Sequence, residues 1–125
     1  MLLLDTSFLI EFERELAAKK EGPASLFLRK NKGRAFAISL ISLGEFAEGY
    51  KSPRDVEDFL SIFRVVQLSR TIAYKAAAMQ SALPQRLGEN DAWIAATALV
   101  YNAELAGREN AFKRVPRLKY SPLKS

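Results

Sequence analysis

The sequence predicts an α/β protein, a three-layer α/β/α sandwich built on a central parallel sheet of four or five strands. Three observations carry that expectation. Short, wholly apolar runs alternate with longer segments of helical periodicity, which is the pattern of strands buried on both faces by helices. Each strand is followed by enough chain for a crossover helix, and right-handed crossovers cover both faces of the sheet. The chain has 125 residues, 49% hydrophobic and 26% charged, which suits one domain with its own core. The expected domain spans residues 1–125, with a core over 1–120 and a short C-terminal tail over 121–125.

The elements follow in order. Leu2-Leu3-Leu4 reads as a first buried strand. From Thr6, apolar Phe8, Leu9, Phe12 and Leu16 recur at helical spacing as far as Lys20. Gly22-Pro23 breaks the chain and starts a second helix to Lys30, and Asn31-Lys32-Gly33 is turn chemistry. Ala35 to Ser39 is a second strand, and a short helix is expected over Leu43 to Tyr50. Ser52-Pro53 opens a helix striped by Val56, Phe59, Leu60 and Phe63, and Val65 to Leu68 is a third strand. Ile72, Ala76, Met79 and Leu83 mark a long helix; residues 87–90 form a loop. Ala92 to Tyr101 is apolar nearly all round, so this helix is expected between other elements. A fourth strand falls at Glu104–Ala106 and a fifth at Leu118–Tyr120.

Composition removes whole classes of chemistry. With no cysteine, the chain has no disulfide, thiol nucleophile or thiolate metal site. With no histidine, it has no Ser-His-Asp triad, no imidazole-held zinc and no histidine acid–base pair. An enzyme built from this alphabet works with carboxylates, hydroxyls, amines or an oxygen-held metal. Asp5 interrupts the apolar start before a signal sequence can form, and the apolar stretch at Ala92 to Tyr101 is too short to span a membrane. The expectation is a cytoplasmic protein without a membrane partner.

The net charge of +5 is local. Residues 1–107 carry 13 basic and 13 acidic side chains, whereas residues 108–125 carry six basic side chains and one acid, Glu109. A solvated surface explains such a cluster; so does a flank that meets phosphates, since clustered Lys and Arg attract nucleic acid regardless of its sequence.

In parallel α/β sheets, ligands bind beyond the carboxyl ends of the strands where the strand order reverses. Four acids fall at that end: Asp5 after the first strand, Glu45 after the second, Asp91 at the head of the apolar helix and Glu109 after the fourth strand. Each has a plain alternative. Asp5 and Asp91 suit helix capping, and Glu45 and Glu109 suit the surface, as does Glu48 one turn beyond Glu45. Together, however, acids crowded at one sheet end repel one another, and a hard divalent cation with oxygen ligands relieves them. Such a cation activates water and stabilises charge during attack on a phosphodiester, and two cations about 4 Å apart share those tasks.

The same residues carry a resemblance. Leu4-Asp5-Thr6-Ser7, Ser39 with Glu45 downstream, Asn90-Asp91-Ala92-Trp93-Ile94-Ala95-Ala96-Thr97-Ala98 and Phe112-Lys113-Arg114-Val115-Pro116-Arg117-Leu118 together resemble the PIN-domain family. Within it they are most similar to the VapC ribonuclease toxins of toxin–antitoxin operons. The resemblance implies a Mg²⁺- or Mn²⁺-dependent endoribonuclease acting on structured RNA, commonly transfer or ribosomal RNA. It also implies a homodimer and a cognate antitoxin protein. By position, Asp5, Glu45 and Asp91 are the implied metal-binding acids, Glu45 directly or through water, and Thr6 supports them through its hydroxyl. The family pattern after the fourth strand is Thr or Ser, one residue, then Asp or Asn. This chain has Gly107-Arg108-Glu109, which lacks the hydroxyl. Glu109 is the favoured fourth acid, and an ungapped alignment puts Arg108 there instead. Arg108, Lys113 and Arg114 are the expected contacts to flanking RNA phosphates. The altered fourth motif leaves open a non-catalytic RNA- or partner-binding module on the same fold. A phosphoacceptor receiver domain shares the architecture, but it pairs acids at its first strand where this chain has three leucines before a single Asp5.

Overall fold

A computed structural model of the chain describes residues 1–124. Five strands, β1 (Leu2–Leu4), β2 (Phe36–Ser39), β3 (Arg64–Val66), β4 (Glu104–Gly107) and β5 (Tyr120–Pro122), form one sheet in the order β3-β2-β1-β4-β5. Every pairing is parallel. Six helices connect them: α1 (Thr6–Ala18), α2 (Pro23–Lys30), α3 (Leu40–Ala47), α4 (Pro53–Leu60), α5 (Arg70–Ala82) and α6 (Glu89–Val100). A short 3₁₀ turn, Asn110–Arg114, follows β4. The expected three-layer sandwich is the one observed. None of the described helices is long and apolar enough to cross a membrane.

Side-chain alternation along the strands divides the core in two. Leu3, Ala37 and Leu105 point to one face, where they meet Ile94, Ala95 and Ala98 of α6 and Phe112. Leu4, Ile38 and Ala106 point to the other, against Phe8, Leu9 and Phe12 of α1 and Phe46 of α3. The six side chains Phe8, Phe12, Phe27, Phe46, Phe59 and Phe63 form a chain of ring contacts there, with neighbouring centroids 4.9–6.5 Å apart. The phenylalanine spacing thus builds core, as its periodicity predicts. Helix α6 is apolar all round because the sheet takes Ile94, Ala95 and Ala98 on one side, while Ala96 and Trp93 pack with Ile72 and Ala76 of α5 on the other.

The element boundaries shift where a neighbour decides them. Helix α3 begins at Leu40, three residues earlier than the sequence predicts, because Ser39 caps it directly off β2 by accepting from the Ser42 N–H at 3.0 Å. Strand β5 lies two residues later than predicted. Its register is Leu105 with Tyr120, Ala106 with Ser121 and Gly107 with Pro122, and Pro122 is tolerated because β5 is the sheet edge. The expected tail from residue 121 is therefore corrected: Ser121 and Pro122 are strand, and Leu123 is buried under α1 and α2. Only Ser125 of that segment lies outside the described residues.

Strand β1 stands between β2 and β4, and the chain fills the β2 side of the sheet before it crosses to β4. The strand order reverses at β1 and β4. Their carboxyl ends, Asp5 and residues 107–109, mark the expected position of a site.

Candidate active site

Asp5 leaves β1 and becomes the N-cap of α1. Its Oδ1 accepts from the Phe8 N–H at 2.8 Å and from the Ser7 hydroxyl at 2.6 Å. The residue is 2% exposed, and Oδ2 is buried without a partner. Burial pushes the carboxyl up to about 6, against those hydrogen bonds, and the charges of Asp91 and Glu109 add to the rise. Capping, the plain alternative for Asp5, accounts for one oxygen and leaves the other unexplained.

The other acids arrive from three separate elements. Asp91 sits in the first turn of α6, half-buried, and burial raises its carboxyl, helped by the charges of Glu109 and Glu45. Glu45 lies on α3, inside the helix rather than on a strand end, and is half-buried. Its Oε1 accepts from the Thr6 hydroxyl at 2.5 Å and its Oε2 from the Asn90 amide at 3.1 Å. Glu45 thus has partners from α1 and α6 that compensate its half-buried charge. Glu109 is exposed and caps the 3₁₀ turn by accepting from the Ala111 N–H at 3.2 Å. Glu48 faces water.

All four acids line one cavity of about 220 Å³, together with Thr6 and Ser7. It adjoins an open depression of about 420 Å³ that shares Glu45 and Asp91 and adds Gly88, Glu89 and Asn90. A larger groove of about 590 Å³ between α2 and β5 is lined mainly by apolar side chains such as Pro23, Leu26 and Phe27, and none of the four acids reaches it. Size favours that groove, but the chemistry lies in the smaller cavity.

The segment after β4 is held by hydroxyls that come from elsewhere in the chain. Ser7 Oγ accepts from the Arg108 N–H at 2.8 Å, and the Tyr120 hydroxyl accepts from the Glu109 N–H at 2.7 Å. Tyr120 itself packs on Phe112 with centroids 5.4 Å apart. The hydroxyl missing from Gly107-Arg108-Glu109 is thus supplied by a residue next to Asp5 and by another on β5. Sequence reasoning assigned no such role to Ser7 or Tyr120, whose partners lie 101 and 11 residues away. Gln80 was missed as well. Its buried amide donates to the Leu87 carbonyl and accepts from the Leu87 N–H, both at 2.9 Å, and so pins the loop that aims the head of α6.

The basic residues divide. Arg108 turns its guanidinium away from the acids to Glu11 Oε1 at 2.7 Å and to the carbonyls of Leu123 and Lys124. The guanidinium thus stands at the surface, outside the cluster of acids, and ties the residues just beyond β5 to α1. Lys113 and Arg114 are exposed on the 3₁₀ turn beside the cavity, and neither is in an ion pair among the described residues.

The donor set suits a hard divalent cation. It is all oxygen, it contains a buried carboxylate oxygen without a partner, and burial together with neighbouring acid charges raises the carboxyls of Asp5 and Asp91. Among the described residues, no three of the acids already stand together as a finished cage. The four carboxylates line the cavity from separate elements.

Comparison with known proteins agrees with this architecture. The family description "PIN domain" matches residues 2–118. No curated protein matches the chain. Among solved structures, a toxin–antitoxin complex from Klebsiella pneumoniae is 29% identical, covers 94% of this chain and 95% of its own, and superposes with a TM-score of 0.73. VapBC2 from Rickettsia felis, bound to a promoter DNA fragment, is 24% identical, with 98% of both chains covered and a TM-score of 0.80. DNA-bound VapBC from Salmonella typhimurium is 23% identical over 97% of this chain and 96% of its own, also at 0.80. The last two show the fold.

Proposed function

The chain belongs to the PIN-domain family, and from that premise we propose that it is a Mg²⁺- or Mn²⁺-dependent endoribonuclease, the toxin of a toxin–antitoxin pair. The observation that carries this reading is the buried, partnerless Oδ2 of Asp5 in a cavity shared with Asp91, Glu45 and Glu109. A capping residue has no need of such an oxygen, whereas a cation ligand does.

Asp5 and Asp91 would hold the cation, with Glu45 joining directly or through water and Glu109 as a fourth acid. Bound there, a divalent cation lowers the pKa of water and offsets charge built up on a phosphodiester under attack. The chain's own part is positioning. Ser7 and the Phe8 N–H fix one oxygen of Asp5, so the carboxylate is oriented before any ligand arrives. Thr6 and Asn90 fix Glu45 across the cavity, close enough to orient a nucleophilic water and accept its proton. Burial of Asp5 keeps bulk water from competing for its free oxygen. Lys113 and Arg114 contact phosphates flanking the scissile bond, which positions the RNA without reading its bases.

The reading is tested by incubating RNA with the protein and Mg²⁺ or Mn²⁺, beside Asp5→Asn and Asp91→Asn. Cleavage is expected from the wild type alone and is lost in EDTA. Cleavage that persists in both variants or in EDTA sinks it. The antitoxin partner is supported by the toxin–antitoxin complex from Klebsiella pneumoniae at 29% identity, and the homodimer by the family resemblance alone. Light scattering of the chain, by itself and with a co-expressed antitoxin, tests both. A second reading, a non-catalytic RNA- or partner-binding module, is favoured by one observation: Glu109 is exposed and occupied as a cap. It predicts salt-dependent RNA binding without cleavage in any metal.

A further inference from the structure

Three of the four acids are placed by long helices. Asp5 is held by Ser7 and the Phe8 N–H of α1, Glu45 by Thr6 of α1 and Asn90 of α6, and Asp91 rides on the first turn of α6. Glu109 differs. It stands on the exposed segment between β4 and the 3₁₀ turn, yet it lines the same cavity. Its backbone is tied to β5, where the Tyr120 hydroxyl accepts from the Glu109 N–H at 2.7 Å. Pairing with Leu105 sets the register of Tyr120, and its ring lies against Phe112, which is 1% exposed and also lines the cavity. Phenylalanine would serve that packing equally well, so packing does not account for the hydroxyl.

We propose that Tyr120 is the positioning residue for Glu109: its hydroxyl pins the backbone of that acid to β5, and the pinned backbone holds the carboxylate at the cavity for a divalent cation. Two consecutive N–H groups of the segment end on hydroxyls from elsewhere, that of Arg108 on Ser7 and that of Glu109 on Tyr120. The carboxylate is steadied in turn by the Ala111 N–H, which donates to Oε1 at 3.2 Å. A glutamate has one rotatable bond more than an aspartate and loses more freedom when it meets a ligand, so a fixed backbone matters more to it. Without the Tyr120 hydroxyl the segment loosens, and the acid leaves both its cap and the cavity. The cation half of the proposal rests on the nuclease reading above; the pinning half does not.

Tyr120→Phe, which keeps the ring and removes only the hydroxyl, tests it in two ways. The first is amide hydrogen exchange of the metal-free protein. The Glu109 N–H is expected to exchange about fivefold faster, and the Ala111 N–H to speed up with it, while the amides of α6 stay as they are. Exchange unchanged at either Glu109 or Ala111 overturns the proposal. The second is calorimetric titration with Mn²⁺ alone. Tyr120→Phe is expected to bind about tenfold more weakly. Tyr74→Phe, on α5 and 69% exposed, is expected to bind as the wild type does. In the background of Glu109→Gln, which keeps a capping oxygen and removes the charge, Tyr120→Phe is expected to cost nothing further. Wild-type affinity in Tyr120→Phe, or an equal loss in both backgrounds, overturns the proposal. A wild type that binds no Mn²⁺ counts against the nuclease reading and leaves the exchange rates to decide whether Tyr120 places Glu109.

Discussion

Asp5 and Glu15 are both carboxylates that receive backbone N–H groups at a helix N-terminus, and both press against a glycine. They differ in how completely they are satisfied. Glu15 reaches from α1 to the start of α2 and accepts from the N–H groups of Gly22 at 3.0 Å, Ala24 at 2.9 Å and Ser25 at 2.7 Å. Burial opposes its charge, but the hydrogen bonds from Ser25, Ala24 and Gly22 outweigh it and hold its carboxyl below the usual range. Asp5 has fewer donors, greater burial and two acidic neighbours, and its carboxyl is pushed up to about 6. The same functional group is a structural tie in one place and a destabilising ligand in waiting in the other. What separates them is the supply of donors relative to burial, and a sequence does not display that ratio.

The comparison can be broken at several points. The largest effect is expected from Asp5→Asn, which should lower Mn²⁺-dependent RNA cleavage at least about a hundredfold. If the two carboxylates are as different as they look, the same change makes the metal-free protein more stable near pH 7.5. The raised pKa corresponds to roughly 3 kcal/mol of cost in the charged form. The sign follows from linkage. A folded pKa near 6 against an unfolded value of 3.8 means stability is lost as pH rises through that window. The gain in Asp5→Asn should therefore shrink between pH 6 and pH 4, and denaturant melts across that range check it. Saturating Mn²⁺ should raise the melting temperature of the wild type and leave Asp5→Asn unmoved.

Glu15→Ala is expected to move stability the other way, with a loss of about 1–2 kcal/mol in urea unfolding as the start of α2 is uncapped. Because its folded carboxyl is held low, the Glu15 contribution persists above the ordinary glutamate range and fades as pH falls through it. A gain in stability from Glu15→Ala would erase the contrast with Asp5. The smallest effect is expected at Thr6→Val, which removes the hydroxyl that steadies Glu45. Cleavage should fall several-fold, and stability should change by about 1 kcal/mol or less.

Much of the fold is legible in the sequence because burial on both faces leaves an uninterrupted apolar run. Leu2–Leu4 is that case, and all three side chains are fully buried. The all-round apolarity of Ala92 to Tyr101 correctly places a helix between two layers. Boundaries are less legible where a neighbour sets them, as at β5, whose register depends on β4. In the site, the four acids are legible because the sheet-end rule is topological. Their supports are not. Ser7, Tyr120 and Gln80 look like ordinary surface, strand and helix residues until the chain is folded.

The sequence by itself determined the chemistry available to this protein, since a chain without histidine or cysteine has no imidazole or thiolate to offer a metal and relies on its carboxylates. It also determined the parallel sheet, because the alternation of apolar runs and amphipathic helices permits few other packings. Only the tertiary structure decided which carboxylates share a cavity, which is satisfied and which is left bare. Those outcomes depend on distances between residues up to 104 positions apart, such as Asp5 and Glu109, and strand pairing brings such residues together whatever their separation along the chain.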